Sequence, residues 1–315
     1  MSTDFTDRLA APTLLAGYTA ILFPGQGSQV DGMRDRVRRY CPELLDLADD
    51  ILGEDAFANP ETSTRLLQPA IYCASIAGWR RAIEIAKDWR PAAYAGHSLG
   101  EIAALACAGV LSPEDGLRLV ALRGELMERM ADNGPPGGML AILGMDFDSV
   151  ARLAAHHSLN IAGDNAPGQT VVCGDARILD RLKVCLEESG IEARRLRIKG
   201  AFHSPAMEPI RPVFEAAVRS VELRDPCIPV FSSVTAMPFD DFAHRLAQSL
   251  THPVRWRETM YALERAGVRR YVETGPGKAL TRIAKRMLVS VSAHTVETWD
   301  GRWDSPIETI YQEAV

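Results

Sequence analysis

A serine set between two glycines, within Tyr94–Ala104 (YAGHSLGEIAA), constrains this chain more than any other segment. Small and apolar residues lead into the Gly-x-Ser-x-Gly sequence of residues 96–100, and an Ala-rich helical pattern follows it. A strand–turn–helix elbow of this kind exposes the central hydroxyl and places a helix N-terminus, with its free backbone N–H groups, behind it. The pattern predicts either a nucleophile, Ser98, or a tight turn of small residues, and taken alone it favours neither.

Strand-like and helix-like patterns alternate on both sides of a break at Asn133-Gly-Pro-Pro-Gly-Gly138, which predicts a parallel α/β sheet. Residues 139–199 instead follow the order βαββαβ, which is typical of a ferredoxin-like unit. We therefore expect an α/β fold in which a large α/β-hydrolase-like domain, built from residues 1–133 and 204–315, is interrupted by a small ferredoxin-like domain at residues 134–203.

Composition excludes several classes of function. The net charge of −6 argues against nucleic-acid binding, and no apolar run is long enough to span a membrane. The six cysteines are scattered without the spacing of metal ligands, so we expect reduced thiols and no metal site. The beginning of the chain lacks the pattern of a signal peptide, and we expect a cytoplasmic protein without a membrane partner.

A serine nucleophile needs a base, and the chain has seven histidines. His203 is favoured because it lies in the short loop Gly200–Ser204, where the chain returns to the main sheet; a structural histidine is the alternative. His97 adjoins the serine and is expected to point elsewhere. The other histidines lie in the insertion, on or beside surface helices, or in the tail: His156, His157, His244, His252 and His294.

A series of short motifs occurs in order: FPGQGSQ (23–29), LLQPAIY (66–72), GHSLGE (96–101), LRGELM (122–127), DNAPGQ (164–169), GAFHS (200–204), HPVRW (252–256) and ETGPGK (273–278). Together they resemble the malonyl-CoA:acyl carrier protein transacylase family, which includes the discrete acyltransferases of polyketide and fatty acid synthesis. The resemblance covers residues 18–287, nearly the whole chain.

The resemblance implies the chemical roles. Ser98 would accept the acyl group, and His203 would act first as general base and then as general acid, with no Asp or Glu as a third member. The backbone N–H groups of Gln26 and Leu99 would form the oxyanion hole. Arg123 would hold the free carboxylate of a malonyl group, which suits the fork of donors on a guanidinium.

Four further positions follow from the same resemblance. Gln68 would line the acyl pocket, and Asn165 would lie near the path of the acyl-CoA or its pantetheine arm. Phe202 would disfavour an α-methyl branch on the acyl group. The backbone carbonyl of Arg255 would orient His203.

The implied reaction is a ping-pong transfer of a malonyl group from CoA to the phosphopantetheine thiol of an acyl carrier protein, by a monomer without a bound cofactor. An acidic carrier would dock on a basic surface, formed either by Arg194, Arg195, Arg197 and Lys199 or by Arg282, Lys285 and Arg286. Other readings stay open: transfer of a larger acyl group between carriers, hydrolysis of acyl carriers, an esterase using His294, or a non-catalytic docking scaffold.

Overall fold

The computed structural model describes residues 18–58, 63–87 and 90–302. Its strands are β1 (Tyr18–Phe23), β2 (Ala93–Gly96), β3 (Gly137–Leu143), β4 (Asn160–Ala166), β5 (Gln169–Asp175), β6 (Ala193–Arg195), β7 (Val230–Phe231), β8 (Val268–Glu273) and β9 (Ser292–Thr295).

The α-helices in these ranges are α1 (Met33–Tyr40), α2 (Pro42–Leu52), α3 (Thr64–Ile85), α4 (Gly100–Cys107), α5 (Pro113–Asn133), α6 (Phe147–His156), α7 (Ala176–Glu188), α8 (Arg211–Arg219), α9 (Phe242–Gln248), α10 (Trp256–Arg265) and α11 (Ala279–Met287). A 3-10 helix, Pro205–Ile210, leads into α8. Within the described ranges, no helix combines the length and apolar character needed to cross a membrane.

The main sheet has the strand order β7-β2-β1-β8-β9, and every neighbouring pair is parallel. The last five residues of β1 and all of β2 are buried, as expected for strands that helices cover on both faces. The predicted α/β fold with a parallel sheet is confirmed.

The second sheet is antiparallel, with the order β4-β5-β3-β6. Along the chain its elements follow β3–α6–β4–β5–α7–β6, and they enclose a small core of their own, which includes Leu140, Val150, Val172 and Leu182. This agrees with the expected βαββαβ order. The boundaries of a separate domain at residues 134–203 stay a prediction, and residues 1–17 and 303–315 of the larger one lie outside the described ranges.

Helix α3 begins earlier than its sequence indicates. Pro69 is typical of a first helical turn and predicts a start near Gln68. The helix instead begins at Thr64, and the side chain of Ser63 caps it by accepting from the N–H of Leu66 at 3.3 Å. Pro69 therefore lies inside the helix and leaves one helical hydrogen bond unmade. Burial of most of the helix compensates for this loss.

Parallel strands end at one edge of a sheet, so the loops after β1, β2 and β8 meet there. The approach is close enough to require glycine. A Cβ on Gly25 would lie 2.6 Å from the carbonyl oxygen of His97, and a Cβ on Gly100 would lie 2.1 Å from that of Phe23. The Gly-rich loop after β1 is thus packed directly against the elbow that carries Ser98.

Candidate active site

Ser98 occupies the turn between β2 and α4 in a left-handed backbone conformation, with φ of 55°. Such a conformation costs a non-glycine residue about 1–3 kcal/mol, so the surrounding contacts must hold it in place. A Cβ on Gly96 would lie 2.1 Å from the backbone nitrogen of Glu101, which explains the small residue before the turn. The elbow predicted from the sequence is present, with its serine at the N-terminus of α4.

The Ser98 hydroxyl is paired with His203. Its Oγ lies 2.8 Å from Nε2 of the imidazole, whose Nδ1 lies 2.7 Å from the backbone carbonyl oxygen of Ser249. Because a carbonyl only accepts, Nδ1 carries the proton and Nε2 is left as the acceptor for the serine hydroxyl. The imidazole thus has the tautomer that a general base for Ser98 requires.

The prediction that the Arg255 carbonyl orients His203 is wrong. That carbonyl lies at the start of α10 and accepts from the N–H and the hydroxyl of Thr259, at 2.9 and 3.0 Å. The carbonyl of Ser249, just after the end of α9, takes its place. The first turn of a helix uses its carbonyls internally, whereas a residue beyond a helix C-terminus has its carbonyl available.

His203 is neutral in this environment. Burial, together with the nearby positive charge of Arg123, lowers the pKa of its imidazole to about 3. An imidazole with an ordinary pKa would be largely protonated below pH 6 and unable to accept from Ser98. This one stays an acceptor throughout the mildly acidic range.

A pH profile of serine reactivity checks this. We expect the rate at which a sulfonyl fluoride modifies Ser98 to fall less than about twofold between pH 7 and pH 5, because the base is unprotonated above its lowered pKa. Residual activity after timed exposure at each pH measures the rate. A decline with its midpoint near pH 6.5 would show that His203 titrates normally.

Arg123, on α5, is the second charged group beside the serine. Its side chain is buried, donating from Nη1 to Oε1 of Gln68 at 2.8 Å and from Nη2 to Oγ of Ser98 at 3.1 Å. Burial lowers the pKa of the guanidinium to about 10, which still leaves it charged at neutral pH. Within the described part of the chain, no carboxylate oxygen lies within 4.0 Å of the Arg123 guanidinium, the distance that defines an ion pair. The hydrogen bonds of this guanidinium therefore go to neutral groups.

Gln26 and Leu99 border the serine from the two neighbouring loops. Among the described residues, neither backbone N–H donates to a protein acceptor, although the Gln26 side chain donates to the hydroxyl of Thr64 at 3.3 Å. Unused amide donors beside a nucleophile are what an oxyanion hole requires.

These groups share a cavity of about 230 Å³ between the two sheets. Apolar side chains of the antiparallel sheet and the segment after it form its far wall, including Met139, Val171, Leu196 and Ile198. The cavity brings together every site residue predicted from the sequence except Arg255: Gln26, Gln68, Ser98, Leu99, Arg123, Asn165, Phe202 and His203.

His97 also lines this cavity. Its Nε2 lies 2.9 Å from Oδ1 of Asn165 on β4, and its ring contacts the edge of Trp256. As expected, its hydrogen bond is directed away from the serine. It links the elbow to the antiparallel sheet, a role that sequence reasoning did not assign.

Two further residues at this site were missed. Ser249 acts through its backbone carbonyl, which carries no sequence signal. Glu101 is fully buried in the first turn of α4. An acid directly after the elbow, at the head of an otherwise apolar and Ala-rich helix, was the signal that could have identified it.

The nucleophile elbow, its histidine and the buried arginine together define an α/β acyltransferase, and comparisons with known proteins identify the family. The chain matches the acyl transferase domain over residues 21–309 and belongs to that family. It is 32% identical to the malonyl CoA-acyl carrier protein transacylase of Haemophilus influenzae, covering 88% of this chain and 94% of that protein.

Other relatives extend the comparison. The polyketide biosynthesis protein ThaF of Burkholderia thailandensis is 40% identical over 85% of this chain, which spans only 24% of ThaF. FabD from Acinetobacter baumannii superposes with a TM-score of 0.81 at 31% identity, over 94% of this chain and 98% of that one. A malonyl-transacylase solved with its type II PKS acyl-carrier protein superposes with a TM-score of 0.81 at 32% identity, over 94% of this chain and 99% of that one.

Proposed function

We propose that this acyltransferase moves a malonyl group from CoA to the phosphopantetheine thiol of an acyl carrier protein, through an ester on Ser98. The observation that carries the proposal is Arg123. Its guanidinium is buried, lies 3.1 Å from the Ser98 hydroxyl and hydrogen-bonds to neutral groups. A buried positive charge in that position favours an acyl group with its own carboxylate. The malonyl-specific names of the relatives support the same substrate.

In the first half-reaction, Nε2 of His203 takes the proton of Ser98 as Oγ attacks the thioester carbonyl. The N–H groups of Gln26 and Leu99 stabilise the negative charge on the carbonyl oxygen. The carbon–sulfur bond then breaks, and the imidazolium returns its proton to the departing CoA sulfur. Malonyl-Ser98 and CoA thiol are the products.

The second half-reaction reverses these roles. The carrier's phosphopantetheine thiol gives its proton to His203 and attacks the ester, and the histidine then protonates Oγ of Ser98 as the ester bond breaks. The donor thioester and the acceptor thiol are both substrates, so the proposed mechanism uses no bound cofactor. Phe202, which is buried beside His203 and lines the cavity, would narrow the space for an α-methyl branch.

We place the carrier dock on α11. Three cations of the alternative surface pair with acids of this chain: Arg194 with Glu192, Arg195 with Asp180 at 3.0 Å, and Lys199 with Asp132 at 3.7 Å. Both surfaces border the catalytic cavity, but among the described residues Arg282, Lys285 and Arg286 pair with no acid, although Arg286 donates to the side-chain oxygen of Gln169. A basic helix at the cavity rim suits an acidic carrier.

Intact-protein mass spectrometry tests the proposed reaction. After incubation with malonyl-CoA we expect a malonyl-sized increase in mass that peptide mapping places on Ser98. Adding a carrier protein with its phosphopantetheine arm should remove the adduct and produce malonyl-carrier, whereas the same carrier without the arm should leave it in place. An adduct lost to water at the same rate with either carrier would indicate a hydrolase, and an adduct formed only from acyl-carrier donors would indicate transfer of a different acyl group.

A further inference from the structure

A second buried ionisable group lies near Arg123. Glu101 is fully buried, and its Oε1 accepts from the backbone N–H of Ser233, just after β7, at 2.6 Å. Its Oε2 makes no hydrogen bond of ordinary geometry in the part of the chain that the structure describes, although the hydroxyls of Ser232 and Ser233 lie close enough to favour the charged form. A buried carboxyl that is bonded so sparsely is costly to ionise, so a positive charge nearby matters for it.

Arg123 supplies the opposite charge. Both residues adjoin Ser98: the backbone N–H of Glu101 donates to the Ser98 carbonyl oxygen at 3.0 Å, and Nη2 of Arg123 donates to the Ser98 hydroxyl at 3.1 Å. The guanidinium therefore attracts the Glu101 carboxylate, although the two side chains form no direct ion pair. Each is fully or almost fully buried, so their attraction is weakly screened. Arg123 thus donates its hydrogen bonds to Gln68 and Ser98, while the more distant carboxylate of Glu101 balances part of its positive charge.

The remaining groups around α4 do not compete with this attraction. Tyr72 and Cys73 on α3 and Tyr94 on β2 are buried, and burial raises the pKa of each above its usual value, so all three are neutral at physiological pH. Cys107, on α4 itself, is neutral for the same reason. Next to β7, hydroxyls of Ser232 and Ser233 face the carboxyl. Two histidines also lie nearby: His97 in the elbow and His203 in the loop Gly200–Ser204, which we call the catalytic loop. Burial lowers the pKa of both imidazoles.

We propose that Glu101 is a proton-exchanging counter-charge for Arg123, which balances the guanidinium in the free enzyme and takes up a proton when an acyl carboxylate binds there. The inference rests on the proposed function, because it requires a carboxylated acyl group. In the free enzyme one buried cation faces one buried carboxylate. A malonyl group adds a second carboxylate, and protonation of Glu101 restores the balance.

The direction of the pH dependence follows from the burial of this carboxyl. Burial raises the pKa of Glu101 to about 7; hydrogen bonding from Ser233 limits the rise most, and the positive charge of Arg123 limits it further. A substrate carboxylate bound to Arg123 neutralises the positive charge that lowers the pKa of Glu101, and it also repels the Glu101 carboxylate. The pKa of Glu101 therefore rises further when the substrate binds. Above pH 7 the free enzyme has lost a proton that it must regain, so malonyl binding weakens with pH, by up to about tenfold for each unit by which the pKa shifts.

Proton uptake measures this directly in the wild-type enzyme. Mixing it with excess malonyl-CoA in weak buffer at pH 7.5, with a pH indicator, should take up a large fraction of one proton per acyl-enzyme formed. Transfer from thioester to serine ester releases CoA as a thiol and exchanges no proton by itself, so acetyl-CoA should give no uptake. Equal proton uptake with both donors would overturn this inference alone, as would no proton uptake with malonyl-CoA when the mass spectrum shows a full adduct. Absence of any malonyl adduct would overturn the proposed function together with this inference.

Glu101→Gln provides the matching variant, because its amide oxygen still accepts from Ser233 but the side chain no longer titrates. We expect its KM for malonyl-CoA to change less than about twofold between pH 6.5 and 8.5, where that of wild type rises by up to about tenfold. The values for acetyl-CoA should match those of wild type. Glu273→Gln, at a buried carboxyl bonded instead to Leu280 and Thr281, should keep the wild-type profile. A Glu101→Gln profile identical to that of wild type would refute the proposal, and wild-type proton uptake decides the matter if the variant does not fold.

Discussion

Replacing His203 with alanine is expected to lower the rate of Ser98 acylation by about 10²- to 10⁴-fold, the range for removal of a positioned general base. The side chain lies 2.8 Å from the serine Oγ, and no other imidazole is bonded to that oxygen in the described structure. Rapid quenching with malonyl-CoA followed by intact-mass analysis measures the rate. Ser98→Ala, which has no nucleophile, sets the zero level with no adduct.

Two controls separate chemistry from damage to the fold. Free imidazole should restore part of the rate in His203→Ala, because the deleted ring leaves space that opens into the catalytic cavity. His97→Ala, which removes the other imidazole of the cavity, should lose much less because its ring is bonded to Asn165. Acylation of His203→Ala at the wild-type rate would remove this residue from the mechanism.

Replacing Arg123 with alanine is expected to shift the preference between acyl donors from malonyl-CoA towards acetyl-CoA. We expect kcat/KM for malonyl-CoA to fall by about 10²- to 10³-fold, equivalent to about 3–4 kcal/mol, which lies within the range for truncating one member of a buried charged hydrogen-bonded pair. Acetyl-CoA, which has no carboxylate, should be used within about tenfold of the wild-type rate despite the lost bond to Ser98. Competition between the two donors, read as the ratio of adduct masses, measures the change.

Arg123→Lys is the matched control. It keeps the positive charge but cannot donate to Gln68, Ser98 and a carboxylate together, because lysine has one ammonium group where arginine has a fork of donors. We expect its kcat/KM for malonyl-CoA to lie between the values for wild type and for the alanine variant. An equal loss for malonyl- and acetyl-CoA in Arg123→Ala would show that the residue supports the structure without selecting the substrate.

The sequence predicted those parts of the site that depend on side-chain chemistry and on the ends of parallel strands. Ser98 follows β2, and the Gly25-Gln26 loop follows β1, so a parallel sheet necessarily brings them to one edge. His203 was selected from its place in a loop after the insertion, and its ring reaches the serine. Their places in the chain indicated both positions, but their chemical roles came from the resemblance to a known family.

What sequence reasoning missed depends on backbone groups and on packing. The Ser249 carbonyl has the same chemistry as any other, and only the end of α9 determines that it meets His203. The early start of α3 depends on tertiary burial that outweighs an internal Pro69. Glu101 lies in the first turn of a helix, where acidic residues are common, and only the packing of α4 determines that it is buried.

The cavity walls come from separate parts of the chain. Ser98, Arg123 and His203 belong to the elbow, α5 and the catalytic loop, whereas Met139, Val171 and Leu196 belong to the antiparallel sheet or follow it directly. Selection for a longer or shorter acyl group can therefore act on one set of residues while leaving the reacting atoms in place. The inserted sheet gives this scaffold a part that evolution can vary independently of the chemistry.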